Sequence, residues 1–264
     1  MPGVRRRTRA PVRRRRAVAR LPRARRRGTR GDEGVTERVT VRENVLKEND
    51  RIAAGLRAAF DRGAIFCVNL ISSPGAGKTS ILEGTLEALQ GTAVRAAVLT
   101  GDIQTERDAD RLRRHGFPAL QITTGGTCHL DAAMVRRALD SLSLDAMDVL
   151  FIENVGNLVC PASYDLGEDV KVVVLSVTEG DDKPLKYPGI FRRAGLMLLH
   201  KMDLLPHTRF DPAAAVADAR RVQPDLEVVE TSCYGAPGLE AWVGWVRSRL
   251  DAKRAAGRTL SAEP

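Results

Sequence analysis

Apolar residues fall into two alternating textures along this chain. Short unbroken runs occur at 64–71 (AIFCVNLI), 94–99 (VRAAVL), 118–122 (PALQI), 147–152 (MDVLFI), 171–177 (KVVVLSV), 195–199 (GLMLL) and 226–230 (LEVVE). Each has the length of one strand, and a continuous run suits a strand buried on both faces. Helical stretches lie between most of them, at 79–89, 105–114, 129–141, 211–221 and 238–250. An earlier stretch, 41–61, places Val45, Ile52, Leu56 and Phe60 at helical spacing. Strands separated by helices predict an α/β fold: a mainly parallel sheet covered by helices on both faces. Order is expected to begin near Val35, one domain to span 35–250, and residues 251–264 to be frayed. There is no internal repeat.

Length and charge refine this picture. The 264 residues, 43% of them apolar, fit one α/β domain with a sizeable core plus a tail. The formal charge of +9 is misleading, because residues 1–30 contain 14 arginines and no acid; removing those 14 leaves −5 for the rest. Arg/Pro/Ala text of this kind cannot pack a core, so residues 1–34 are expected to be a disordered extension. An arginine run can bind phosphates, but the acidic body offers no second basic surface, so a nucleic-acid partner is not expected. The tail lacks the apolar core of a secretory signal, and no apolar stretch is long enough for a membrane span. Four widely spaced cysteines argue against a disulfide scaffold and for a reducing, cytoplasmic setting.

The strongest chemical signal is SSPGAGKTS, 72–80, placed directly between the first apolar run and a helix. That context is what a phosphate-binding P-loop requires. Gly75 and Gly77 let backbone N–H groups turn inward on phosphates, with Ser73, Pro74, Ala76 and Ser80 completing the cradle. Lys78 can reach the β- and γ-phosphates, and Thr79 offers a hydroxyl to Mg²⁺. The consensus G-x-x-x-x-G-K-S/T would place glycine at 72, where this chain has Ser72. A P-loop also needs acids at the ends of neighbouring strands. Asp102 in TGDIQT and Glu153 in FIEN each follow an apolar run, which in a parallel sheet is the ligand-binding edge. Both are assigned to Mg²⁺ or to orienting the attacking water. Asp148 begins its strand and sits at the wrong end.

The base is read from LLHKMDLL, 198–205. Lys201 and Asp203 match the guanine-reading pattern N-K-x-D. Asp203 would accept from guanine N1 and the exocyclic amine, donors that adenine cannot present together, and the stem of Lys201 would lie along the base. His200 stands where asparagine is usual, which predicts weaker or altered binding. TSCYG, 231–235, would supply backbone donors from Ser232 and Cys233 to guanine O6.

A second site is suggested by soft ligands. Cys128 and His129 are adjacent at the expected start of a helix, and Cys160 lies seven residues after Glu153. Thiolate and imidazole suit Ni²⁺ or Zn²⁺ and not Mg²⁺. The spacing is not that of a zinc finger, and cysteines are often small buried apolar residues, so the residues alone leave both readings open. Cys67, inside the first strand, reads as core. Cys233 reads as structural apart from its backbone.

At this point the text resembles a known family. ENVLKENDRIA, NLISSPGAGKT, GDIQTERDADR, TGGTCHLDAAM, FIENVGNLVCPASYDLGE and SVTEGDDKPLKYPGIF are similar to the hydrogenase nickel-incorporation GTPases of the HypB type, over roughly residues 38–250. The resemblance implies a dimerising P-loop GTPase fold, a homodimer formed on GTP binding, and slow hydrolysis to GDP. It implies that Cys128, His129 and Cys160 bind Ni²⁺ or Zn²⁺. The implied partners are a zinc-containing, nickel-binding accessory protein and the immature large subunit of a nickel–iron hydrogenase. The chain lacks the C-x-x-C-G-C motif and the histidine-rich stretch of some members, so N-terminal nickel storage is not expected. Two rival readings are a urease-type nickel-delivery GTPase and a P-loop small-molecule kinase. The ENVGNLVCP segment and the Cys–His pair argue against the first, and Lys201 with Asp203 against the second.

Overall fold

A computed structural model describes the backbone of residues 33–102 and 107–261, and the side chains of 43–101 and 108–258. Contacts divide the chain into Met1–Thr40 and Val41–Pro264. Of the first unit, only helical residues 33–40 are described, so the expectation of a disordered extension over 1–34 lies almost wholly outside the described residues.

Seven strands form one sheet: β1 (Phe66–Ser72), β2 (Ala96–Asp102), β3 (Ala119–Thr123), β4 (Val149–Glu153), β5 (Val170–Ser176), β6 (Ala194–His200) and β7 (Glu227–Thr231). Their order is β3-β2-β4-β1-β5-β6-β7, and every pairing is parallel. The helices are α1 (Glu33–Arg62), α2 (Lys78–Leu89), α3 (Arg107–Arg113), α4 (Ala132–Leu139), the single turns α5 (Lys183–Lys186) and α6 (Pro188–Phe191), α7 (Pro212–Val222) and α8 (Glu240–Ser261). No described helix is long and apolar enough to cross a membrane.

Both faces of β1 are buried, which explains its unbroken apolar text. Phe66, Val68 and Leu70 pack with Ile81, Leu82 and Leu86 of α2 and with Trp242 and Val246 of α8. On the other face, Cys67 joins Phe60 of α1, Val135 of α4 and Leu150 of β4. Ile71 joins a third cluster with Val173, Met197, Phe191 and Ala215. Trp242 is fully buried, and its indole N–H donates to Thr85 Oγ1 at 2.8 Å, so a large ring enters the core with its polar atom satisfied.

Three boundaries differ from the sequence expectation. Helix α1 begins at Glu33, before the predicted 41. Helix α4 begins at Ala132, because the Asp131 carboxylate accepts from the Met134 N–H at 2.7 Å and caps it there; Cys128 and His129 therefore sit in the preceding loop and not in the helix. The tail from 251 is not frayed through its described part: α8 continues to Ser261. Its basic residues hold it down, with Lys253 pairing to Asp61 and Asp169, and Arg254 to Asp148 at 3.0 Å.

Because all seven strands run one way, their carboxyl ends lie at one edge, the edge where ligands bind in such sheets.

Candidate functional site

The loop between β1 and α2 holds the residues predicted to cradle phosphate. Gly75 and Gly77 have φ of +74° and +111°, in the left-handed region that glycine enters without penalty. Lys78, Thr79 and Ser80 form the first turn of α2, so the positive end of the helix faces the loop. Lys78 is buried, and its ammonium donates to Ser72 Oγ at 3.0 Å. Ser72, the departure from the P-loop consensus, is thus the residue that holds the lysine stem back along the loop. Its own hydroxyl donates to the Ser73 carbonyl at 2.6 Å.

Glu153, at the carboxyl end of β4, accepts from Thr79 Oγ1 at 2.8 Å. It is 6% exposed, and its second oxygen has no hydrogen-bond partner among the described residues. Burial pushes its pKa up to about 7, against the opposing pull of the Lys78 ammonium and the Thr79 hydroxyl. An oxygen pair of this kind, with one atom buried and unbonded beside a P-loop threonine, fits a hard divalent cation. Asp102 ends β2 at the same edge, on the far side of β4 from β1. Its side chain lies outside the described residues. Of the three residues predicted to hold magnesium, Thr79 and Glu153 are in contact, and Asp102 is placed by its backbone alone.

A residue that sequence reading did not single out also reaches the loop. Lys183 of α5 donates to Ser73 Oγ at 2.5 Å and pairs with Glu179 at 3.3 Å. Its signal was positional: TEGDDK follows β5, and β5 lies beside β1.

The residues predicted to read the base gather at the ends of β6 and β7. The Lys201 ammonium donates to the Gly75 carbonyl at 2.7 Å, laying its stem across the phosphate loop. Asp203 Oδ1 is buried without a partner among the described residues, the state expected of a carboxylate whose donors belong to a ligand. Ser232 Oγ accepts from the Asp203 N–H at 3.0 Å and fixes one loop on the other.

His200 occupies the asparagine position and is 2% exposed. Its Nδ1 lies 2.9 Å from Thr231 Oγ1, and its Nε2 lies 3.7 Å from Cys233 Sγ. The ring edge lies so close to Gly77 that a Cβ there would stand 2.7 Å from His200 Cδ2. Burial, then the Lys201 ammonium, lowers its pKa to about 4, so the imidazole is neutral. The ring is thus held to the β7 end through Thr231 and lies against Gly77 of the loop after β1. The Cys233 thiol lies beside the same ring.

The soft ligands also come together. Cys128 Sγ lies 2.8 Å from Cys160 Sγ and 3.8 Å from His129 Nδ1, and one donor atom from each of the three residues lies within 4.8 Å of the others. Cys128 is exposed, and the other two are half-buried. The His129 ring stacks on Tyr164 with centroids 3.8 Å apart. Burial lowers the His129 pKa, which favours the neutral ligand form. The hydrogen bond to Cys160 raises that of the Cys128 thiol. Two sulfurs and an imidazole fit Ni²⁺ or Zn²⁺ and leave one position of a tetrahedron open. Cys67, by contrast, is fully buried core.

Comparison with known proteins agrees with this geometry. The profile of the CobW/HypB/UreG nucleotide-binding domain matches residues 66–230. The hydrogenase maturation factor HypB of Azotobacter vinelandii is 52% identical over 230 residues, covering 84% of this chain and 76% of that protein. The factor of the same name from Escherichia coli K12 is 50% identical over 218 residues, covering 82% and 75%. The crystal structure of HypB from Helicobacter pylori in complex with nickel superposes with a TM-score of 0.74 at 39% identity, covering 78% of this chain and 96% of that one. On these matches the chain belongs to the CobW/HypB/UreG family of nucleotide-binding proteins, within its HypB branch.

Proposed function

We propose that the chain is a GTP-hydrolysing metallochaperone that delivers nickel to the large subunit of a nickel–iron hydrogenase during maturation. The observation that carries this reading is the shared segment 153–160, which begins at the phosphate loop with Glu153 and ends in the sulfur cluster with Cys160. Family membership supports the assignment, and the nickel held by the Helicobacter pylori relative supports the cargo.

In this reading the N–H groups of 73–80 cradle the phosphates and Lys78 neutralises charge on the β- and γ-oxygens. Magnesium, when bound, draws charge from the same oxygens, and Thr79, Glu153 and Asp102 would hold it. Glu153, buried and raised in pKa, also orients the attacking water. Asp203 selects guanine, Lys201 lies along the base, and the Ser232 and Cys233 backbone donates to O6. Cys128, His129 and Cys160 bind the ion to be delivered, Ni²⁺ with Zn²⁺ as competitor. The exposure of Cys128 suits a cargo that must be received and released. We further propose that GTP drives homodimerisation, that a nickel-binding accessory protein and the immature large subunit are the partners, and that the four free cysteines work in a reducing cytoplasm.

The test is phosphate release with magnesium, from GTP and from ATP, on the full chain and on Lys78→Ala. Slow release from GTP alone, lost in the variant, supports the reading. Equal release from ATP, or release that survives Lys78→Ala, contradicts it.

A further inference from the structure

The segment from Glu153 to Cys160 is held at both ends by buried or close contacts that join the two sites. Asn154 follows Glu153 and is 1% exposed. Its Oδ1 accepts from the backbone N–H of Leu130 at 3.3 Å and of Val155 at 3.0 Å. Its amide donates to Asn69 Oδ1 at 3.2 Å, and the Asn69 amide donates to buried Glu168 at 3.2 Å. Asn69 lies in β1, the strand that leads into the phosphate loop. Leu130 follows His129 directly. One side chain therefore joins β1, the segment after β4, and the loop that carries two of the three soft ligands.

Further along, Gly156 touches the phosphate loop: a Cβ there would stand 2.9 Å from Pro74 Cα. Asn157 donates to the Cys128 carbonyl at 3.2 Å and accepts from the Val159 N–H at 2.8 Å. Just past the ligand loop, Asn49 of α1 accepts from the Ala132 N–H at 2.9 Å and donates to the Asp165 carbonyl at 2.8 Å. The loop and its exit are thus held by Asn49, Asn154 and Asn157.

We propose that Asn154 is the positioning residue through which the nucleotide site sets the metal affinity of Cys128, His129 and Cys160, with Asn157 as the outer grip on the same loop. The inference rests on the function proposed above and adds its regulation. In this structure the Thr79 hydroxyl is given to Glu153. A triphosphate with its cation claims both groups, so Glu153 changes partner. Asn154 is the next residue, and its buried amide cannot drop Leu130 without leaving an unpaired N–H in the core. Movement at Glu153 is therefore carried to the Cys128–His129 loop, while Gly156 and Asn157 carry it to Cys160. The hydrogen-bonded chain is contiguous, and its effect must be reciprocal: whatever nucleotide does to metal affinity, metal does to nucleotide affinity.

The test is isothermal titration of Ni²⁺ into the full chain with magnesium and GDP, and again with a non-hydrolysable GTP analogue, for wild type, Asn154→Ala and Asn157→Ala. The wild type is expected to show a ratio of metal affinities of about tenfold between the two nucleotides. In Asn154→Ala both ligands still bind, but the ratio falls to within about twofold of unity, and the reciprocal effect of metal on nucleotide affinity falls equally. A residue with a merely structural role would weaken binding in both states and leave the ratio. Asn157→Ala, at a half-buried position, narrows the ratio partway and carries the test if Asn154→Ala does not fold. A wild-type ratio in Asn154→Ala, or in Asn157→Ala when that variant carries the test, overturns the proposal. A ratio of one in wild type overturns it as well, while intact nickel binding and GTP hydrolysis leave the proposed function standing. Failure of wild type to bind nickel at all overturns both.

Discussion

At the carboxyl edge of the sheet, three residues of the candidate nucleotide site are buried, Lys78 at 7% exposed, Glu153 at 6% and His200 at 2%, while Thr79, Lys201 and Asp203 are half-buried. At the sulfur cluster, Cys128 is exposed and His129 and Cys160 are only half-buried. The first region is built from strand ends and a helix N-terminus, with each polar group already braced by another part of the loop system: Lys78 by Ser72, Lys201 by the Gly75 carbonyl, His200 by Thr231. The second is carried on two loops held by Asn154 and Asn157, and of its three ligand residues Cys128 is exposed. Burial and bracing make a site that recognises one ligand in one pose. Exposure with a fixed backbone makes a site from which an ion can be handed on.

Variants on the nucleotide side should therefore leave metal binding by the nucleotide-free chain unchanged, which is the sharpest way to test whether the two regions are separately built. The largest effect is expected from Lys78→Ala. Loss of a charged donor to phosphate should weaken GTP binding about 100-fold, read by titration, with nickel affinity measured in parallel. Asp203→Asn should weaken GTP binding by about 30-fold, because an amide presents a donor to the guanine edge where the carboxylate accepted. ITP, which lacks the exocyclic amine, should lose less.

A smaller effect tests the brace. His200→Ala should weaken GDP binding by about tenfold, since nothing then spans from Gly77 to Thr231. His200→Asn should restore binding to within about twofold. If alanine and asparagine behave alike, the ring is only filling space.

The smallest effect concerns Glu153. Its folded pKa of about 7 lies above the ordinary 4.5, so the protonated acid is the form the nucleotide-free fold prefers. The stability it contributes is full below about 4.5 and is lost as pH rises through about 7. Glu153→Gln removes the buried charge. Its Tm should exceed that of wild type by about 3 °C at pH 8 without nucleotide or magnesium, and the difference should shrink steadily as pH falls towards 4.5. A variant less stable at both pH values would contradict the assigned cost of burial.

The nucleotide region was the more legible in sequence, for a physical reason. Its core, 72–80, is contiguous, and its position between an apolar strand and a helix is visible in the text. Asp203 was found by its offset from Lys201. The role of His200 was not visible, because it depends on Gly77 lying against the ring across the sheet, and neither residue names the other. The sulfur cluster was grouped from residue types and position with a core reading left open, and the resemblance favoured the metal-binding reading. The loop position of His129 was missed because the apolar periodicity of 129–141 runs on past the real cap at Asp131. The extension of α8 was missed because it is set by distant acids, Asp61, Asp148 and Asp169, and not by local apolar text. Asn154 read as part of a motif, but its partners Leu130 and Asn69 come from other elements and follow only from the sheet order.

The central claim is that a phosphate loop and a Cys–His–Cys cluster work in one chain as a nucleotide-controlled metal carrier. The most direct measurement is Ni²⁺ titration of wild type and Cys128→Ala, each with GDP and with a non-hydrolysable GTP analogue. The account predicts nickel binding that differs between the nucleotides in wild type and is lost in Cys128→Ala, with nucleotide affinity of the metal-free variant unchanged. Nickel bound by Cys128→Ala as tightly as by wild type would contradict it.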